Sequence, residues 1–297
     1  MSARQFTALE WGTSRVVARL IDEAGNTIAR QEHAIRMADL DRAGMSDWLA
    51  RICADISGQR DANEPVWLAG MIGSPLGWAE AGRVSCPATP EDLRRRLQHH
   101  QVGDIPVVIV PGLACLSRFG DRDMLRGEEV GALGALELHP GQRILLLSAP
   151  GMHGKWIELG KDAIQSFHTA MTVELATIIS EHSILASHLE KPPADDETFR
   201  DAVVRGMEGG GLARLIFSVR AAILAGRIAP AQAASQLWGL LIGAEIRELN
   251  TEDHDCVLLS GSHPIVELYC SALSLRGVRA ILLDRDSAAW GFMRLRV

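Results

Sequence analysis

The stretch Phe6 to Gln31, FTALEWGTSRVVARLIDEAGNTIARQ, decides the fold. Phe6 to Glu10 reads as a strand and Trp11-Gly12-Thr13-Ser14 as a turn. Val16 to Ile21 and Thr27 to Gln31 then read as hairpin arms, with Glu23-Ala24-Gly25-Asn26 between them. Short apolar runs punctuated by Gly, Asn and Ser are strand and turn signals. Three strands in succession make a meander, and a simple alternating α/β fold does not begin with one.

The same order starts again at Arg143. Arg143 to Ser148, Lys155 to Leu159 and Ala163 to Phe167 read as strands, the last two joined at Gly160-Lys161, and a helix follows from about Thr172, whose hydroxyl is placed to cap it. The two halves share element order and no visible sequence identity. The expectation is an α/β protein of two similar lobes, 1–139 and 140–297, with an interlobe cleft.

Between the meanders, Ser46 is placed as an N-cap before Trp48, Leu49, Ile52, Cys53 and Ile56 at helical spacing. Val66 to Ala69 is a buried strand running into a glycine-rich loop, Gly70 to Trp78. Thr89 and Pro90 start a helix reaching about Gln98, and Val107 to Val110 is the next strand. The later chain is helical over Glu197 to Arg205, Leu212 to Leu224 and Pro230 to Glu248. Cys256 to Ser260 is a strand ending in Gly261-Ser262-His263. A helix over Pro264 to Leu275, a strand over Val278 to Leu283 and a helix over Ser287 to Leu295 complete the chain.

A chain of 297 residues with 47% hydrophobic content suits two cores better than one. A net charge of −7 argues against a general nucleic-acid partner, and Arg94-Arg95-Arg96 reads as the solvated face of a helix. The five cysteines are scattered singly, which suggests neither a disulfide framework nor a thiolate metal site; they read as mostly buried thiols in a reducing cytoplasm. No apolar run approaches the ~20 residues that span a bilayer, and Met1 to Arg4 does not lead into a secretory segment.

Two polar clusters carry the chemistry. Arg126-Gly127-Glu128-Glu129 opens a helix, whose first-turn N–H groups favour carboxylates. Pro150-Gly151-Met152-His153-Gly154-Lys155-Trp156 ends a strand in a glycine-bearing turn whose amides can face phosphate oxygens. Carboxylates and an anion nest are parts that phosphoryl transfer uses. Plain structural readings stand beside these: Glu128 and Glu129 complementing a helix dipole, Trp11, Trp78 and Trp156 packing a lobe, His153 in an idle turn. Glu245, on an apolar helix face, reads as one half of a structural ion pair.

Taken in order, Trp11-Gly12-Thr13, Ala69-Gly70-Met71-Ile72-Gly73-Ser74 with Gly77-Trp78, Cys86-Pro87-Ala88, Val110-Pro111-Gly112, Arg126 to Glu129, Pro150-Gly151 with Lys155-Trp156, Met171-Thr172, Leu241 to Glu245 and Gly261-Ser262 resemble the 2-dehydro-3-deoxygalactonokinase family. That family lies within the superfamily of sugar kinases, heat-shock ATPases and actin. The resemblance covers nearly the whole chain. It implies an actin-like fold of two ribonuclease-H-like lobes and ATP-dependent phosphorylation of 2-dehydro-3-deoxygalactonate, with ATP and Mg²⁺, in the cytoplasm. It implies small-molecule partners only, no membrane, and allows a homodimer.

By the same resemblance, Glu10, Gly12, Thr13 and Ser14 belong to a first phosphate loop, with Glu10 orienting the magnesium shell. Gly151, Met152, His153 and Lys155 belong to a second, and Gly261 and Ser262 lie beside the adenosine. Gly12 and Gly151 would serve one nucleotide tail. Met71, Gly73, Ser74 and Trp78 would face the sugar acid, and Glu128 or Glu129 would be the general base. On chemistry, Lys155 is a candidate for a phosphate or the substrate carboxylate, and Arg126, whose planar fork can bind one bidentately, is a second candidate for the carboxylate. Three positions depart from the family pattern: Glu10 for aspartate, Met152 for a hydroxyl residue, and Val173 for glycine. They motivate an alternative, a catalytically impaired relative that senses a sugar acid or nucleotide.

Overall fold

Apolar residues on both sides of the Trp11 to Ser14 turn let the first two strands bury both faces. In the computed structural model, which describes residues 5–56, 64–149, 151–189, 192–261, 264–283 and 286–296, β1 (Phe6–Trp11) pairs antiparallel with β2 (Arg15–Ile21), and β2 with β3 (Thr27–Ala34). β4 (Val66–Gly70) joins β1 in parallel, following α1 (Arg42–Ile56). A three-stranded sheet of β5 (Arg83–Ser85), β8 (Gly112–Leu116) and β9 (Arg122–Leu125) stands apart from the main one. The main sheet is completed by β6 (Gln98–Val102) and β7 (Ile105–Ile109), in the order β3-β2-β1-β4-β7-β6. α2 (Pro90–Arg94) and α3 (Glu128–Leu138) complete this part of the chain.

The second half repeats the plan. β10 (Ile144–Ala149), β11 (Gly154–Gly160) and β12 (Ala163–Ala170) are followed by α4 (Thr172–His182), α5 (Glu197–Glu208), α6 (Leu212–Leu224) and α7 (Ala233–Arg247). β13 (Cys256–Gly261), α8 (Ile265–Leu275), β14 (Ala280–Leu282) and α9 (Ser287–Arg296) close the chain. The sheet order is β12-β11-β10-β13-β14, with β10, β13 and β14 parallel. The two-residue turn Lys161-Asp162 between β11 and β12 can join only antiparallel strands. Both sheets therefore place a meander beside parallel strands, the ribonuclease-H-like order expected for each lobe.

Contacts divide the chain into two units: Met1–Gln142 with Ile157–Phe167 and Asp284–Val297, and Arg143–Trp156 with His168–Leu283. This division departs from the expected 1–139 and 140–297 lobes at two places: it assigns Ile157–Phe167, most of β11 and β12, and the C-terminal Asp284–Val297 to the first unit. In the first unit α9 lies on α3 with the backbones nearly touching. A Cβ at Gly134 would overlap the Ser287 carbonyl, and one at Gly291 the Val130 carbonyl. In the second unit α5 and α7 meet the same way: a Cβ at Gly239 would overlap the Phe199 carbonyl, and one at Gly243 that of Val203. Gly239 and Gly243, one turn apart, share a helix face.

Four local expectations give way to tertiary context. The helix from Pro90 stops at Arg94, although Thr89 and Asp92 form the expected capping box. Gln98 to Val102 alternates exposed and covered side chains and pairs with β7 as a hairpin through Gly103-Asp104. Arg94 does not simply face solvent; its guanidinium donates to the Arg294 carbonyl at 2.6 Å. Ser46 lies inside α1, whose start is held by Asp41 accepting the Gly44 N–H at 2.8 Å. Thr172 opens α4, but its hydroxyl turns away from the helix end to Glu245. Of the five free cysteines only Cys53 is buried; the other four are partly exposed. Among the described residues no helix is long and apolar enough to cross a membrane.

Candidate active site

Parallel strands bring their carboxyl ends to one edge, where α/β proteins bind ligands. In the first unit that edge carries most of the residues singled out in the sequence. Trp11 at the end of β1 is in register with Gly70 at the end of β4. Gly70, at φ +92°, lies against the Trp11 backbone, and Gly127, just before α3, lies against Gly70, with 3.2 Å between a Cβ there and the Gly70 Cα. Glu10, the Gly12 to Ser14 turn, Met71 to Ser74 and the start of α3 therefore share one corner. At the turn, the Gly12 N–H is taken by the Arg15 carbonyl at 2.8 Å, closing the hairpin. The amides it leaves for a ligand are those of exposed Thr13 and Ser14.

Among the described residues, Ser74 Oγ, Arg126 Nη1 and Glu129 Oε1 are buried polar atoms of this segment of the chain without a hydrogen-bond partner. Gly73, next to Ser74 in the chain, lies against the arginine: a Cβ there would stand 3.0 Å from Arg126 Nη1. The other arm of the guanidinium donates to the Gly82 carbonyl at 2.7 Å. Arg126 is held below the usual arginine range by burial first, and the nearby cation Arg83 adds to that; Glu129 and Glu80 oppose it. Glu129 is 0% exposed. Burial, and then its neighbour Glu128, pushes its carboxyl up to about 8, although its other oxygen accepts the Gly127 N–H at 2.5 Å. Glu128 is less buried and accepts the Arg126 backbone N–H at 3.0 Å.

Glu10 is partly exposed, its side chain at 28%, and its carboxylate is engaged by Arg19, which is buried and also lies 3.5 Å from Asp286. Among the described residues no cluster of three acidic, histidine or cysteine side chains could hold a metal alone. Magnesium needs no such cage beside phosphates, because it keeps several waters and takes one or two protein carboxylates. Glu10 fits that single role. Trp78 is tied into the packing: its indole N–H donates to Ser46 Oγ at 2.9 Å and its ring meets His100 edge-on at 5.5 Å.

In the second unit Ala149, at the end of β10, is in register with Gly261, at the end of β13, so the Gly151 to Lys155 turn and Gly261 share one strand edge. Ser262 lies outside the described residues. A side chain at Gly151 would meet nothing within 4 Å, and Met152 is 47% exposed. The turn is braced by α4: the Glu174 N–H donates to the Met152 carbonyl at 3.2 Å, and the Glu174 carboxylate meets His153 Nε2 at 2.6 Å. Lys155 Nζ donates to Thr169 Oγ1 at 2.6 Å. Val173 packs against the core of this unit.

Glu245 has no basic partner within this constellation, so the expected ion pair is replaced by a hydrogen-bonded cluster. It accepts from Trp156 Nε1 at 2.6 Å, from the Tyr269 hydroxyl at 2.5 Å and from Thr172. Burial raises its carboxyl, and the three donors oppose that shift. Three features escaped the sequence reading: this cluster, Arg19 beneath Glu10, and the Gly239/Gly243 face. Each had a visible signal, a charge or a repeated glycine within an otherwise apolar run.

Two sheets that each set a meander beside parallel strands, the ribonuclease-H-like order, define a class of α/β protein, and comparison narrows it. Residues 10–295 match the family model described as 2-keto-3-deoxy-galactonokinase, and the chain belongs to that family. It is 36% identical over 293 residues to a Rhizobium meliloti (strain 1021) protein named a probable 2-dehydro-3-deoxygalactonokinase, covering 97% of this chain and 94% of that one. It is 30% identical over 291 residues to the 2-dehydro-3-deoxygalactonokinase of Escherichia coli (strain K12), covering 97% and 95%. A crystal structure of a Sinorhizobium meliloti protein described as a putative 2-dehydro-3-deoxygalactonokinase superposes with a TM-score of 0.87 at 34% identity, over 98% of this chain and 97% of that one. A Clostridium difficile activator of 2-hydroxyisocaproyl-CoA dehydratase shares the fold alone, at TM-score 0.51 and 10% identity over 97% and 92%. The named relatives are kinases, and nothing among them favours the sensor alternative.

Proposed function

We propose that this chain phosphorylates 2-keto-3-deoxy-galactonate with ATP, as the enzyme of galactonate catabolism that its family membership suggests. The observation that carries the reading within the molecule is the set of unsatisfied buried atoms at Ser74, Arg126 and Glu129. Each unpaired group costs about 1–3 kcal/mol, which a ligand supplying the missing partners recovers. A sugar acid offers those partners: its carboxylate to Arg126 and Ser74, and a hydroxyl to Glu129.

On this reading the substrate hydroxyl oxygen bonds to the γ-phosphorus, the bond from phosphorus to the bridging oxygen breaks, ADP leaves, and Glu129 takes the hydroxyl proton. A base near neutrality suits that transfer, a contribution of roughly 10²- to 10⁴-fold. The Thr13 and Ser14 amides and the turn from Gly151 to Lys155 are the proposed phosphate contacts, with Gly261 on the adenosine side. Magnesium, when bound, would neutralise phosphate charge, and Glu10 would hold its water shell. Phosphoryl transfer otherwise asks mainly for alignment and charge stabilisation. Because ATP is a cytoplasmic substrate, the cytoplasm is the proposed compartment.

A coupled ADP-release assay with 2-keto-3-deoxy-galactonate tests the reading. Turnover above the ATP-only blank is expected; none, from folded protein, rejects it. Thermal stabilisation by the sugar acid and not by Mg-ATP would instead favour the sensor reading.

A further inference from the structure

Directly beneath the Gly151 to Lys155 turn lies a buried carboxyl that takes no part in the proposed transfer. Glu245 Oε1 stands 4.0 Å from where a Cβ of Gly154 would be. Its hydrogen bonds reach two elements that flank the turn. Trp156, on β11 two residues past Gly154, donates to Oε1, and Thr172, the first residue of α4, donates to Oε2 alongside Tyr269 from α8. α4 also holds the bend directly, through the Glu174 N–H on the Met152 carbonyl and the Glu174 carboxylate on His153. The Met152-His153 bend thus leads into β11 and is held by α4, and Glu245 is the group bonded to both elements.

Such a cluster is costly if incomplete and rigid if complete. A buried acceptor with three donors loses mobility, and removing it strands an indole N–H that can only donate. We propose that Glu245 is a positioning residue for nucleotide binding: it fixes Trp156 and Thr172 so that the amides of the Gly151 to His153 bend, which leads into β11, are preorganised for phosphate. The proposal rests on the kinase reading for its ligand, and on the contacts alone for its mechanics.

The chemistry separates a positioning role from a merely structural one. In Glu245→Gln the amide oxygen can still accept from Trp156, and its NH₂ can donate to the Thr172 and Tyr269 oxygens, which accept as readily as they donate. The frame survives. In Glu245→Leu it is lost, and Trp156→Phe and Thr172→Val each remove one element's bond. Should Glu245→Leu not fold, the latter two variants carry the test.

The expected result is an ATP KM raised on the order of tenfold in Glu245→Leu and several-fold in Trp156→Phe and Thr172→Val. The sugar-acid KM should stay within about twofold, and Glu245→Gln should stay near wild type. Amide hydrogen exchange without ligand reads the same frame independently of kinase activity: residues 151–155 should exchange faster in Trp156→Phe and Thr172→Val, while β10 and β13 keep their protection. If no sugar acid is phosphorylated but exchange changes as stated, the kinase reading falls and the positioning role stands. Unchanged exchange at the turn, or both KM values rising together, overturns the proposal.

Discussion

Gly70 lies so close to Trp11 that a Cβ on it would overlap the Trp11 carbonyl oxygen, and its φ of +92° is one that side-chain-bearing residues rarely adopt. This contact sets the spacing between the ends of β1 and β4, the strand edge from which the Gly12 to Ser14 turn and the Met71 to Ser74 segment lead. Gly70→Ala should combine backbone strain, about 1–3 kcal/mol, with a steric clash that only strand separation relieves. Thermal unfolding is expected to show a loss of several degrees or more. A variant with wild-type Tm would mean that the two strand ends are not in contact.

Glu129 gives two pH signatures. Its folded pKa is raised from the ordinary 4.5 to about 8, chiefly by burial, so between those values the folded protein holds a proton that the unfolded chain releases. Its favourable contribution to stability is complete below about 4.5 and is lost as pH rises through about 8. Glu129→Gln should flatten that decline in denaturant titrations. As the base, the same group should make kcat/KM rise with pH toward a plateau above about 8.

The two adjacent carboxylates should separate kinetically. Glu129→Gln is expected to lower kcat by roughly 10²- to 10⁴-fold and Glu128→Gln much less, because Glu129 keeps one buried oxygen, Oε1, without a hydrogen-bond partner while its other oxygen, like Glu128, accepts a backbone N–H. The opposite order would move the base to Glu128, and full kcat in both would move it elsewhere.

Arg126→Lys keeps the charge and removes the planar fork. It should raise the sugar-acid KM about ten- to a hundredfold, leaving the ATP KM near wild type. Steady-state titration of each substrate at saturation of the other checks this; a change confined to ATP would contradict the proposed carboxylate contact.

In the first unit, Gly291→Ala should be severely destabilising, because the new methyl would lie within the Val130 carbonyl. The expected cost exceeds about 3 kcal/mol, since two helix backbones must part. Chemical denaturation would show it, whereas Gly141→Ala, with nothing within 4 Å of its Cβ, should cost less and only through its left-handed φ of +77°.

What the sequence determined by itself was the order of elements. A meander can be read wherever apolar runs are short and turn residues punctuate them, and both meanders appear where Phe6 to Gln31 and Arg143 to Phe167 place them. The pairing of carboxylates with a helix start at Glu128 was also legible, because helix ends impose the same local electrostatics in any fold. Only tertiary structure decided which polar groups meet. Gln98 to Val102 became a strand because β7 offered an open edge, and Thr172 gave up its capping role to Glu245. Arg19 lies across a strand from Glu10, at a diagonal that register alone creates. The burial that raises Glu129 is a tertiary effect too: Gly127, just before α3, comes against Gly70 at the end of β4 only once the chain has folded. Propensity and capping act over a few residues and are written in order along the chain, whereas desolvation and hydrogen-bond partnership depend on atoms that only folding brings near.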